Sequence, residues 1–168
     1  VIGKVMIQRL KAFLTAASPE FPADSPSGQK HPDEALRLAT ASLLIEAAMM
    51  DGTLEVAELD VIKTLLADYF ELSSEEVSEL VEAGEAAAAD SIQLYGFTKE
   101  IKDNFDQDER IRMIEMLWEV AYTDGRLHHL ETNLIRRVAG LIYVPDRESG
   151  EAHRRVREKR ERNHANAL

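Results

Sequence analysis

Cysteine is absent from the 168 residues of this chain. That excludes disulfides, thiolate metal sites, iron–sulfur clusters and cysteine nucleophiles, and leaves any metal to carboxylates, histidine or backbone oxygen. It also suits a reducing compartment, so the expected location is cytoplasmic. Long apolar runs are missing too: Leu43-Leu44-Ile45 and Ala47 to Met50 are cut by charge far short of the ~20 residues of a membrane helix. Positive charge is scarce, with 20 Lys+Arg against 31 Asp+Glu and a formal net charge of −11, which disfavours nucleic acid and anionic lipid as partners. There is no phosphate-cradling glycine loop and no Ser/His/Asp arrangement of the hydrolytic kind. What is present, 45% hydrophobic and 30% charged residues, describes a globular protein long enough to bury a real core.

The chain divides by composition into four parts. Residues 1–14 place Val5, Leu10, Phe13 and Leu14 at helical spacing among Lys4, Arg9 and Lys11, which predicts an amphipathic helix. Residues 15–33 hold Pro19, Pro22, Pro26 and Pro32 with serines between them, a linker. Residues 34–146 read as helix throughout, without strand-like alternation, so the fold class is all-α. The tail, 147–168, is basic and predicts a helix partly disordered toward its end. Residues 1–33 carry +1 and the tail +3, which leaves −15 on residues 34–146.

Within the helical part, Leu36, Ala39, Leu43, Ala47 and Met50 form one apolar stripe that stops at Asp51-Gly52. A second helix follows from about Val56 to Phe70. Ser73 with Glu76, and later Asp106 with Glu109, have the spacing of capping boxes that open further helices. A helix on Leu94, Phe97, Ile101 and Phe105 lies between them. The helix after Asp106 carries Ile111, Ile114, Leu117, Trp118 and Ala121 to Asp124-Gly125, and a last one, about His129 to Tyr143, turns Leu130, Leu134, Ile135, Val138 and Leu141 inward. Met49, Met50, Trp118 and Tyr122 are expected in the core. Between Lys63 and Lys99 no basic residue occurs, while Glu75, Glu76, Glu79, Glu82, Glu85 and Asp90 do. The segment 74–90 is therefore either a solvated acidic face or a docking face for a basic protein partner or the chain's own basic tail.

The two Asp-Gly pairs are 73 residues apart, and at that offset Leu44, Glu46, Ala48, Asp51, Gly52, Leu54, Glu58 and Ile62 meet Leu117, Glu119, Ala121, Asp124, Gly125, Leu127, Glu131 and Ile135. The repeat predicts two helix–turn–helix hairpins packed about a pseudo-two-fold axis, facing one another across Leu43, Ile62, Trp118 and Ile135, in a bundle of about seven helices.

The duplicated A-x-x-D-G-x-L-x-x-x-E signature, with Ile92 to Thr98 between the copies and Leu117 to Gly125 opening the second, resembles the TerB-like family of bacterial tellurite-resistance-related proteins. A similar domain stands at the front of some membrane-anchored DnaJ-type co-chaperones. The resemblance spans about residues 34–161. It implies an all-helical domain and a divalent-ion site at the shared acids, here Glu46, Asp51, Glu58, Glu119, Asp124 and Glu131. Glu55 and His128 stand where family members often have Ser or Asp.

Glu46 and Asp51 lie about 140° apart on a continuous helix. The Asp-Gly turn removes that separation and folds Glu58 back toward them, giving oxygen donors suited to Mg²⁺ or Ca²⁺, with Mn²⁺ also admissible. Neither copy has the ligand ladder of an EF-hand or the E-x-x-H pair of a di-iron bundle. The competing reading makes the acids helix caps: Asp-Gly is a good helix-ending turn, and Glu58 and Glu131 occupy the N3 position of a capping box. Glu46, flanked by Leu43, Met49 and Met50, borders the core and needs a partner. The expected function is a non-enzymatic TerB-like module that binds a divalent ion in tellurite or general stress response. The alternatives are an interaction scaffold with capping acids, or a metal-dependent hydrolase.

Overall fold

The computed structural model describes residues 34–89, 94–123, 125, 127 and 129–168. The amphipathic segment 1–14, the linker 15–33, Asp124 and His128 lie outside the described residues. Among those described the chain forms seven α-helices and no strand: α1 (Glu34–Ala48), α2 (Val56–Phe70), α3 (Ser74–Ala88), α4 (Leu94–Asn104), α5 (Gln107–Ala121), α6 (His129–Leu141) and α7 (Asp146–Asn166). A 3-10 turn, Met49–Asp51, follows α1.

Helix starts follow local chemistry. Ser73 Oγ accepts from Glu76 N while Glu76 Oε2 accepts from Ser73 N. Asp106 and Glu109 make the same reciprocal pair at the head of α5, so each start satisfies two backbone donors that the helix cannot.

α1 is the centre. From Leu36 to Ala48 only Arg37 and Glu46 are not buried, and α1 packs against α2, α3, α4, α5 and α6. Leu43, Leu44 and Ile45 are fully buried, each worth roughly 1.5–3 kcal/mol of removed apolar surface. Thr40 is also fully buried, its hydroxyl donating to Leu36 O at 2.8 Å, so a polar side chain enters the core without an orphaned donor. α3 lies close against α1 at Gly84, where a Cβ would stand 2.9 Å from Ile45 Cδ1 and 3.2 Å from Ala41 Cβ.

The hairpins α1–α2 and α5–α6 pack together through α1 against α5 and α6 and through α2 against α5. α3 lies on α1 and α2, and α4 on α1 and α6, so the middle helices bridge the repeats. Leu43, Ile62 and Ile135 meet in this core, fully buried. Trp118 is buried as well, but its indole stacks on His153 of α7.

Two expected core positions are surface. Leu130 is 42% exposed because Glu131, Leu134, Ile135 and Val138 take the inward arc of α6, and Leu130 is a helical step of about 100° from Glu131. Met49 is 41% exposed, carried outward where α1 tightens into the 3-10 turn. The tail departs from expectation in the other direction: α7 is helical through Asn166 and packs on α5 with Ala152 and Val156 buried.

Two glycines give opposite tests of this packing. Gly84→Ala is expected to lower stability by about 1 kcal/mol, because overpacking against fully buried Ile45 and Ala41 outweighs the gain in helix propensity. Gly140→Ala meets nothing within 4 Å and is expected to gain about 0.5 kcal/mol. Urea unfolding midpoints check both.

Candidate functional site

The glycines of the two Asp-Gly pairs share a left-handed backbone conformation and the same kind of hydrogen bond. Gly52 and Gly125 sit at φ 98° and 77°, the left-handed region that glycine enters without a Cβ penalty. Gly52 N donates to Met49 O at 2.9 Å, and Gly125 N donates to Tyr122 O at 3.0 Å. Met49 and Tyr122 are equivalent at the 73-residue offset, so the repeat extends to the turn hydrogen bond.

The acids on these turns are used differently. Asp51 is exposed, and its Oδ1 accepts from Thr53 N at 3.1 Å, an Asx-type contact that holds the chain as it leaves Gly52. Glu58 is only 4% exposed, and its Oε2 accepts from Glu55 N at 3.0 Å. It thereby satisfies the backbone donor that a Ser or Asp side chain at position 55 would leave to the same N3 glutamate. Glu131 occupies the equivalent place on α6, 2% exposed. Burial of both glutamates was not foreseen; the signal for it was the apolar spacing of the residues that follow each one.

Glu46, near the end of α1, is half-buried. Burial pushes its carboxyl above the ordinary glutamate range, and Arg137 of α6 partly opposes the shift. The equivalent Glu119 has a different environment: Oε1 accepts from Arg112 Nη1 at 2.9 Å, and Oε2 lies 3.6 Å from Lys159 Nζ of α7. Arg112 also reaches Glu115 at 3.1 Å, and Glu115 in turn pairs with Arg155 of α7. The chain's own basic tail thus docks on the acids of α5 rather than on α3. The i,i+3 and i,i+7 spacing of Arg112, Glu115 and Glu119 is a local signal the sequence reading did not use, and their α7 partners lie 40 residues away.

Of the six candidate ligands, Glu46, Asp51, Glu58, Glu119 and Glu131 are described and Asp124 is not. Among the described residues no three carboxylates or histidines converge in a group that would hold a metal ion. In the first repeat Asp51 and Glu58 each turn one oxygen to the backbone of their own turn. Turn shaping, capping and ion pairing are what these side chains do in this arrangement.

Glu46 provides a pH test. An acid whose folded pKa is raised binds its proton more tightly in the folded state, so its ionisation costs stability at neutral pH, and the cost fades as pH falls toward its ordinary value near 4.5. Glu46→Gln is expected to raise the melting temperature at neutral pH, with the gain shrinking toward pH ~4.5. A loss of stability at neutral pH would show instead that attraction to Arg137 dominates.

Comparison with known proteins agrees with this architecture. The family model described as tellurite resistance protein TerB matches residues 37–154, which takes the module past residue 146 into the first half of α7. A crystal structure of a protein of unknown function from Porphyromonas gingivalis W83 is similar with a TM-score of 0.58 and 17% sequence identity, covering 82% of this chain and 98% of that one. At that identity the likeness is one of fold. No curated protein matches the chain. The repeated turns, the helical bundle around α1 and the match over most of the sequence lead to one conclusion: the chain belongs to the TerB family of tellurite resistance proteins.

Proposed function

We propose that this chain is a non-enzymatic interaction module of the tellurite-resistance type, working in the cytoplasm in metal-oxyanion or general stress response, and that it docks a basic protein segment on α3. The observation that carries this reading is the division of the carboxylates. Asp51, Glu58 and Glu119 are engaged within the protein, whereas Glu75, Glu82 and Glu85 of α3 are exposed and no ion pair among the described residues involves them. No helix among the described residues is long and apolar enough to cross a membrane. The family match and the carboxylate arrangement give the metal-dependent hydrolase no support.

Exposed charges are screened beyond ~8–10 Å at physiological ionic strength, so docking of a basic peptide on α3 is expected to weaken steeply with salt. Combined Glu75→Gln, Glu79→Gln and Glu82→Gln should abolish it without moving the melting temperature by more than a few degrees. Binding indifferent to both salt and these changes would contradict the reading.

Glu46 favours a second reading, a divalent ion at the first turn, because its desolvated carboxylate stands to gain from a cation. In that case millimolar Mg²⁺, Ca²⁺ or Mn²⁺ raises the melting temperature by mass action, and Asp51→Asn, which keeps the turn contact but loses the charge, abolishes the rise. A parent protein that ignores all three ions, and that elemental analysis shows to be metal-free, removes this reading for the first repeat.

A further inference from the structure

We propose that α7 is a pH-gated cover over the Glu115–Tyr122 face of α5, docked while His153 is neutral and released when that ring is protonated. The helix is long but thinly anchored. Of its 21 residues only Ala152 and Val156 are buried, and beyond Val156 every residue except Arg160 is exposed. A helix so polar on its outer sides depends on tertiary contacts to persist. Its near end is tied to α5, where Gln107 Nε2 donates to Glu148 Oε2 at 2.7 Å.

Farther along, the central contact is aromatic. The His153 ring lies on Trp118 with centroids 3.9 Å apart and planes 9° apart, and its Nε2 is hydrogen-bonded to Tyr122 Oη. Either neutral tautomer makes this contact, Nε2 accepting from the phenol or donating to its oxygen, whereas the protonated ring can only donate.

Burial of the ring, with a smaller contribution from Arg157, decides the direction. Facing α7 from α5 are the carboxylates Glu115 and Glu119, and three cations already converge on them: Arg112 from α5 itself, with Arg155 and Lys159 from α7. Arg160 lies over the Tyr122 ring at 5.5 Å. Arg157 acts on His153 from the next turn of its own helix, and with burial, the larger cause, it holds the ring below the ordinary imidazole value. α6 also packs against α7; its ionisable residues are His129, Glu131, Arg136 and Arg137, and Arg157 is the charge that acts on His153. Protonation therefore places a charge on a ring that stacking against Trp118 has partly withdrawn from water. Stacking on Trp118 offsets part of that cost. Because the folded pKa is depressed, docking is fully present above the ordinary value of 6.5 and is lost as pH falls below it. Release uncovers Trp118, Tyr122, Glu115 and Glu119 together, an aromatic and acidic face.

The test uses the full chain, whose sole tryptophan is Trp118, and compares about pH 7.5 with about pH 5.5, either side of the ordinary histidine value. Hydrogen exchange of α7 amides, corrected for intrinsic pH dependence, is expected to lose protection at the lower pH. α1 stays protected and Trp118 emission shifts to the red. His153→Gln should leave α7 equally protected at both pH values. Arg157→Gln keeps the stack, removes the cation one turn along α7 and should shrink the loss; it decides the matter if His153→Gln is undocked throughout. Unchanged α7 exchange in the parent, or an undiminished loss in Arg157→Gln, overturns the proposal.

Discussion

A helix with almost no solvent-facing side has to be covered from every direction, and in this protein α1 imposes that requirement on the rest of the chain. Its small residues, Ala39, Ala41, Ala47 and Ala48, alternate with Leu36, Leu38, Leu43, Leu44 and Ile45. Neighbouring helices therefore approach closely at some positions and interlock at others. Gly84 is where this is most evident, since the α1–α3 spacing leaves no room for a side chain. The five helices that surround α1 each bury one apolar stripe and keep the opposite face polar, so the large negative charge of residues 34–146 stays on the outside.

That arrangement also explains why two repeats with matching glycines and turn hydrogen bonds use Glu46 and Glu119 differently. In the first, Glu46 belongs to the buried central helix and bears a desolvation cost that Arg137 only partly offsets. In the second, Glu119 belongs to a peripheral helix, where it meets Arg112 and the basic α7. The duplicated sequence preserves what the turn needs: glycine at positive φ, a backbone hydrogen bond across it, and a buried glutamate in the first turn of the next helix. The glutamate before the turn has taken on whatever its half of the bundle offers. Among the described residues, these side chains act on the protein's own backbone and cations.

Local signals in the sequence predicted structure well because local contacts produce it. The capping residues Ser73–Glu76 and Asp106–Glu109 lie three positions apart and form the hydrogen bonds their spacing implies. The limits of α2 and the bridging role of α3 and α4 follow in the same way from periodicity and the position of the repeat. Contacts with large sequence separation were not legible. His153 meets Trp118 and Tyr122 across more than thirty residues, through polar and aromatic groups that leave no apolar stripe, so the tail, expected as a helix partly disordered toward its end, is a docked helix. For the candidate ion site, the sequence showed which acids share a turn. Which way each carboxylate points depends on whether a free backbone donor lies within reach, and Glu55 N and Thr53 N supplied those donors.

The central claim is that burial of α1 holds the two repeats together, and native-state hydrogen exchange tests it directly. Exchange of the amides from Leu38 to Ala47 should proceed only through global unfolding, with a free energy equal to that from denaturant titration, while exposed helix ends exchange through smaller openings. Opening of α1 below the global value, with α5 and α6 still protected, would contradict the account.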